Sequence, residues 1–303
     1  MQIYDLIIIG AGPAGITASV YAARKNLSFL VISLDIGGQT AWSGDIENYT
    51  GYQFITGPEL TQKFQEHMRQ YDIALKENEE VLELEKSGQV CLVKTNKANY
   101  QSRAVIIASG KKSRELGVSG EKEFKNHGLT YCATCDGPLF AGKVVSIIGG
   151  GNSAIDAALQ LIRIAKHVYI INITDQLSAD QIMLQKVKEA GNVTILNNHQ
   201  VTAVLGDKFV QGIKIKYKDN EQELAVEGVF VEIGLIPNST FAKNVEKNTR
   251  NEINIDLSNQ TNIPGIFAAG DVTDVLEKQI IIAAGEGSKA ALSVFRYLAQ
   301  KRF

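Results

Sequence analysis

The sequence predicts an α/β protein of two doubly wound, three-layer domains, the second inserted in the first. Two stretches, "DLIIIGAGPAGITASVYAARKNLSFLVIS" and "SIIGGGNSAIDAALQLIRIAKHVYIIN", match under one constant offset that lays Gly10 on Gly149, Gly12 on Gly151 and Ser33 on Asn172. Each reads as apolar strand, glycine turn, amphipathic helix and second apolar strand, the opening of a Rossmann-like parallel sheet. At 303 residues the chain is long enough for two separate cores. The closing segment "NIPGIFAAGDVTDVLEKQIIIAAGEGSKAALSVFRYLAQKR" has no counterpart inside either repeat. Its simplest path returns to the first domain, which then comprises 1–114 and 243–303 around an insert of 115–242.

In chain order, Leu6 to Ile9 form an apolar run after Asp5, broken at once by Gly10, Gly12, Pro13 and Gly15. With no basic region before it, this run reads as a buried strand rather than an export signal. Thr56 and Glu59 frame a capping box with Pro58 inside the first turn, which predicts a helix from Pro58 to about Tyr71. "EVLELEKSGQVCLVKT" with "AVIIASG", and later "VTAVLGDKFVQGIKIKYK" with "GVFVEIG", each read as a short meander followed by a buried strand. The last segment adds one more apolar strand, a Gly-Asp turn and a long terminal helix.

The net charge of -2, without a basic tail, argues against bulk nucleic-acid binding. No stretch reaches the ~18 apolar residues that span a bilayer. Three cysteines and no export signal point to the reducing cytoplasm, where a close cysteine pair is more often catalytic than structural.

In "IIIGAGPAG", Gly10 permits a tight turn, Gly12 leaves room for a pyrophosphate and Gly15 lets the helix pack on the strand. The helix N-terminus then offers free N–H groups and positive dipole to phosphates. Ser33 stands where an acidic residue would normally bond a ribose, with Asp35 two residues later; a hydroxyl can still make that bond.

Cys132 and Cys135 in "YCATCDG" are two residues apart, a spacing that lets a reducible disulfide close within one turn. A thiolate that leaves or arrives needs a proton, and Asp136 follows directly. Zinc would need two further ligands, and none of His67, His127, His167 and His199 sits at ligand spacing. Cys91, in an alternating stretch, reads as a buried strand residue.

Taken together, "GAGPAG", "GGQTAWSGDIENYTGY", "CATCDG", "GGGNSA", "EIGLIPN", "GIFAAGDV" and "KQIIIAAGEG" resemble the low-molecular-weight thioredoxin reductases, in this order and over nearly the whole chain. The resemblance implies a cytoplasmic homodimer with FAD in the first domain and the redox cysteines in the insert. It implies that Gly10, Gly12, Pro13 and Ala14 face the FAD pyrophosphate, with Ser33 at the ribose. Gly38, Gln39, Asn48 and Gly110 would approach the flavin and ribityl chain. Gly270 and Asp271 would meet a ribityl hydroxyl, and Lys278, Gln279 and Ile280 the flavin pyrimidine edge. Cys135 would receive electrons from the flavin, Cys132 would attack the thioredoxin disulfide, and Asp136 would donate the proton. The family alternates two domain orientations, since a disulfide packed on the flavin cannot also meet a protein partner.

One window departs from that pattern. Where the family carries His-Arg-Arg-x-x-x-Arg to clamp the 2'-phosphate of NADPH, this chain has Asn172, Ile173, Thr174 and Ser178. Charge-assisted hydrogen bonds are worth ~1.5 to 3 kcal/mol each, so losing three arginines weakens NADPH by roughly a thousandfold or more. This directs the expectation to the ferredoxin-dependent flavin thioredoxin reductases, with reduced ferredoxin as the electron donor. The step is downhill from about -400 mV to about -270 mV. The basic stretch Lys111, Lys112, Arg114, Lys122 and Lys125 is the docking candidate for an acidic ferredoxin, against the alternative of a solvated charged face. Three other readings stay open: NADH or another NAD(P)H donor at the altered turn, a second flavin in its place, or a non-catalytic flavoprotein that senses redox state or binds a partner.

Overall fold

Leu6, Ile7, Ile8 and Ile9 are buried without a break because the strand that carries them, Ile3–Ala11, lies between two layers. Leu6 and Ile8 point into one apolar cluster, and Ile7 and Ile9 into another on the opposite face. In this computed structural model, residues 2–43 and 45–301 are described, and they divide into two units. Unit 1 comprises 2–43, 47–112 and 236–301, and unit 2 comprises 45–46 and 113–235. Ala242 and Val245 are buried in the core of unit 1, which draws the chain back to that side ahead of them.

Unit 1 is built on a seven-stranded sheet in the order Ala74–Lys76, Phe29–Ile36, Ile3–Ala11, Asn99–Ile107, Val90–Thr95, Val81–Ser87. The strand Ile266–Ala268 pairs in parallel with the C-terminal half of Asn99–Ile107. The first four strands are parallel, and the meander Val81–Ser87, Val90–Thr95 is antiparallel. Helix α1 (Pro13–Arg24) covers one face and packs on the long last helix. Helix α2 (Gly57–Met68) starts at the predicted capping box, in which Thr56 Oγ1 accepts from the Glu59 N–H at 3.3 Å and Glu59 Oε2 accepts from the Thr56 N–H at 3.0 Å. It ends at Met68, short of Tyr71. The backbone there tightens, with the Gln70 and Tyr71 N–H groups bonding the carbonyls of His67 and Met68.

Unit 2 repeats the plan. Its sheet is all parallel, in the order Leu129–Thr130, Gly228–Val231, Val144–Ile148, His167–Asn172, Val193–Asn197. The short α3 (Ala133–Asp136) carries the cysteines, while α4 (Asn152–Leu161) and α5 (Gln181–Glu189) bury Ile155, Ala158, Leu161, Leu184 and Val187 against one face. The antiparallel strands Gln200–Gly206, Val210–Tyr217 and Asn220–Ala225 cover the other with Val201, Val204, Ile213 and Ile215. The chain then returns to unit 1 and closes with α6 (Ile280–Gln300). Two three-layer α/β units, one inserted in the other's sequence, are the fold class that the repeat predicts.

Candidate active site

At the end of the first strand, Gly10 has φ +106°, and a Cβ there would lie 2.4 Å from the Ala108 carbonyl oxygen. Only glycine fits so tight a turn. Gly12 is the N-cap of α1 and makes no side-chain cap bond, and Pro13 opens a first turn without an acidic residue. A Cβ on Gly12 would point into open space, its nearest neighbour the Gly37 carbonyl oxygen at 3.9 Å. The first N–H groups of α1 therefore have no side-chain cap at the positive end of the helix, and no side chain on Gly12 obstructs them, the environment a pyrophosphate needs. Gly38 borders it, in the left-handed region, at the start of the 3-10 turn Gly38–Trp42. Ser33 is buried, and its hydroxyl accepts from the Ala11 N–H at 3.0 Å and donates to the Asp35 carbonyl at 2.6 Å. It ties two strand ends together, which leaves one lone pair for any ribose.

At the other end of this cradle, Gln39 Nε2 donates to the Lys111 carbonyl at 2.9 Å, and Asn48 Nδ2 to Gln279 Oε1 at 3.1 Å. Gly110 takes φ +65°, and its carbonyl accepts from the Asn238 N–H at 3.0 Å. Gly270 brings Asp271 against the start of α1, since a Cβ on Gly270 would lie 2.9 Å from Ala14 Cβ. Burial pushes the Asp271 carboxyl up, and the charges of Lys278 and Lys111 pull it back. Among the described residues no hydrogen bond reaches that carboxylate, so it is poised to accept from a ligand hydroxyl. Lys278 Nζ donates to the Thr273 carbonyl at 2.7 Å and to that of Val275, and lies 3.5 Å from Glu252 Oε1. Gln279 is the N-cap of α6, and Ile280 its first residue. The residues that the resemblance assigns to FAD all fall within unit 1, several of them hydrogen-bonded or packed against one another. An uncapped helix N-terminus at one end and a desolvated carboxylate at the other fit a dinucleotide with a polyhydroxyl chain.

In unit 2, Cys132 and Cys135 form a disulfide with Cα atoms 5.3 Å apart. Cys132 is the N-cap of α3, and its Sγ accepts from the Cys135 N–H at 3.2 Å, a bond that would stabilise a thiolate on Cys132. Asp136 follows on the same turn, its N–H donating to the Cys132 carbonyl at 3.1 Å. Thr130, which nothing in the sequence singles out, donates its hydroxyl to Asp136 Oδ2 and accepts from the Cys132 N–H at 3.2 Å. One hydroxyl therefore joins the cysteine backbone to the carboxyl group.

The second glycine turn is equally open, since a Cβ on Gly151 would meet only Ser178 Oγ, at 4.0 Å. Asn172, however, is buried and committed. Its Nδ2 donates to the carbonyls of Thr174 and Gln176 and to Asn197 Oδ1 at 3.0 to 3.1 Å. Its Oδ1 accepts from the Thr174 hydroxyl at 3.1 Å. Asn172 thus shapes the loop over the turn, while Ile173, Thr174, Asp175 and Ser178 are exposed. There is no cation between 172 and 178 to hold a 2'-phosphate.

Glu232 follows the strand Gly228–Val231, and nothing in the sequence marks it out. Burial pushes its carboxyl up to about 7; the Ala133 N–H, beside Cys132, opposes the shift and the charge of Asp156 adds to it. The folded value thus lies above the ordinary 4.5, so the folded chain holds a proton that the unfolded chain releases between those limits. This contribution to stability is complete below about pH 4.5 and is lost as the pH rises through 7. Glu232→Gln is expected to unfold at higher urea than the parent at pH 8, by on the order of 3 kcal/mol, and at nearly the same urea at pH 5. An equal difference at both pH values would refute the assignment.

A candidate cradle for FAD, a second glycine turn and a Cys-x-x-Cys disulfide on one chain are the features of flavin-dependent disulfide oxidoreductases. The family model for pyridine nucleotide-disulphide oxidoreductases matches residues 4–287. The chain is 37% identical to the thioredoxin reductase of Streptococcus pyogenes, covering 98% of this chain and 99% of that one, with a TM-score of 0.93. It is 42% identical over 306 residues to a subunit of the alkyl hydroperoxide reductase of Xanthomonas campestris pv. phaseoli, and 40% identical over 298 residues to a protein named NADH dehydrogenase from Ferdinandcohnia aciditolerans. Those two matches cover 98% and 97% of this chain, which spans 57% of the length of each of these curated relatives. The chain belongs to the pyridine nucleotide-disulphide oxidoreductase family, among the low-molecular-weight thioredoxin reductases, and its cofactor is FAD.

Three expectations fall together here. Relatives named NADH dehydrogenase and alkyl hydroperoxide reductase overturn the ferredoxin-dependent branch, ferredoxin as donor and ferredoxin as partner. The arginine clamp recognises only the 2'-phosphate, so its loss speaks against NADPH and leaves NADH untouched. One member of the basic stretch does not face solvent, although Lys112, Arg114, Lys122 and Lys125 do. Lys111 is 7% exposed and paired with Glu252, so it presents no charge to a partner.

Proposed function

We propose that this chain is an NADH-dependent flavoenzyme that reduces thioredoxin through the Cys132–Cys135 dithiol, with unit 1 as the FAD domain and unit 2 as the NAD-type domain that carries the redox pair. The observation that carries this reading is the closed disulfide tied through Thr130 to Asp136, in the same unit as an open glycine turn without a cation. The names of the relatives support both the donor and the acceptor. The overall change is NADH + H⁺ + thioredoxin disulfide → NAD⁺ + thioredoxin dithiol.

When bound, FAD would supply two-electron chemistry between a nicotinamide donor and the disulfide. The first turn of α1 would hold its pyrophosphate, and the Asp271 carboxylate would accept from a hydroxyl of its ribityl chain. The electron pair enters at Cys135 Sγ, the sulfur–sulfur bond breaks, and Cys132 leaves as a thiolate held by the Cys135 N–H. Asp136 delivers a proton to the dithiol, and Thr130 keeps that carboxyl on the cysteine turn. Cys132 then attacks the thioredoxin disulfide, and Cys135 resolves the mixed disulfide and restores the starting bond. Three cysteines, only two of them paired, suit the reducing cytoplasm. Among the described residues no helix is long and apolar enough to cross a membrane.

The test is stoichiometric. FAD-loaded protein, NADH and oxidised thioredoxin should yield two thioredoxin thiols per NADH consumed. NADH consumption with no thiol formed would mean a different acceptor.

A further inference from the structure

Unit 1 buries a group of charges that its role as a dinucleotide-binding domain does not require. Glu252 is 2% exposed, and its carboxylate receives Lys111 Nζ, Asn248 Nδ2 at 2.5 Å, Arg250 Nε at 3.1 Å and, farther off, Lys278 Nζ at 3.5 Å. We propose that Glu252 is a positioning residue that gathers Lys111 and Lys278 beside Asp271, so that the FAD in this unit is reduced next to two ammonium groups sharing one carboxylate. This rests on FAD as the ligand and is independent of which donor or acceptor it serves.

Geometry places the group at the cradle rather than in a remote core. Lys111 is held at both ends, its carbonyl by Gln39 and its ammonium by Glu252. Lys278 is held by two backbone carbonyls in the turn before α6 and cannot swing away. Asp271 feels the charges of both lysines, and it is one residue from Gly270, which packs on Ala14 at the start of α1. The lysines also feel each other. Burial, followed by the charge of Lys111, pushes the Lys278 ammonium down. Glu252 answers that repulsion: burial alone would push its carboxyl up, yet the bonds from Lys111 and Asn248 and the charges of Lys111 and Lys278 hold it at about 2.

An ion pair buried this deeply is a weak fold stabiliser, since well-packed apolar residues of similar volume serve as well or better. Its effect on a neighbouring ligand is different. Two-electron reduction of FAD near neutral pH takes up two electrons and one proton and leaves one negative charge on the ring system. Fixed cations in a dry site favour that form over the oxidised one. Removing Lys111 takes away a cation, whereas neutralising Glu252 takes away the anion that offsets it. The two changes should therefore move the FAD couple in opposite senses, which a merely structural pair would not do.

The experiment is a dithionite titration of the FAD-loaded full chain against a reference dye, without NADH or thioredoxin. Lys111→Met is expected to lower the preference for reduced over oxidised FAD at least tenfold, about 30 mV more negative for a two-electron couple. Glu252→Gln should shift it at least tenfold the other way, and Lys111→Arg should restore the parent value. Should Lys111→Met lose its FAD, the sign and size of the Glu252→Gln shift decide alone. Shifts under tenfold, or both variants moving in one direction, overturn the proposal. Because no donor or acceptor is present, that result would leave the NADH and thioredoxin assignments standing.

Discussion

Cys135→Ser is expected to retain FAD, fold as the parent does, and lose thioredoxin reduction by roughly 10⁴-fold or to the floor of the assay, as when a nucleophile is removed elsewhere. The sulfur it removes is the one proposed to receive the electron pair, and no other cysteine can substitute. Cys91 is fully buried on the strand Val90–Thr95, and burial pushes its thiol up, so it is neither accessible nor nucleophilic. Cys132→Ser should be equally inactive towards thioredoxin. Thiol counts give a second readout of the same claim. The reduced parent should show two reactive thiols when native and a third only on unfolding, and each serine variant should show one fewer. A Cys135→Ser protein with normal turnover would remove the dithiol from the reaction.

The second large effect concerns nucleotide choice. Ile173 and Ser178 are exposed, and Ile173 takes no part in the Asn172 network that shapes the loop. The double variant Ile173→Arg/Ser178→Arg places two cations at positions where the family carries arginines. Each charge-assisted bond is worth ~1.5 to 3 kcal/mol, less at an exposed site, so NADPH affinity should rise at least about tenfold while that for NADH stays within a few fold. Thr174 is left alone because its hydroxyl bonds Asn172 and the Gln176 carbonyl. Titration of nucleotide binding checks this. An equal gain for both nucleotides would show that the arginines act on something other than the 2'-phosphate.

Most of the architecture is legible in the sequence because its signals are local and periodic. The repeat that lays Gly10 on Gly149 follows from two equivalent strand-to-helix turns, each closed by a carbonyl that would collide with any side chain: Ala108 in one and Glu232 in the other. The capping box at Thr56 and Glu59 likewise needs no tertiary information. What stays hidden is what long-range folding assembles. Lys111 and Glu252 lie far apart in sequence, so Lys111 reads as part of a basic surface run although it is buried. Thr130 gives no sign from spacing that its hydroxyl joins Asp136 to the Cys132 backbone. Asn172 shows in sequence only as a replacement in the phosphate-clamp window, and its spacing does not reveal that its amide is occupied by its own loop. The ferredoxin expectation fails for a chemical reason. An absent phosphate clamp bears on one phosphate and does not extend to the whole nucleotide.

The central claim is that electrons enter this chain as NADH and leave as thiols. Anaerobic mixing of the FAD-loaded protein with micromolar NADH or NADPH, followed by the yellow absorbance, tests it most directly. The account predicts rapid bleaching by NADH, slower bleaching by NADPH at the same concentration, and recovery of the colour when oxidised thioredoxin is added. Colour that persists for minutes in NADH, or bleaching by NADPH at the faster rate, would contradict it.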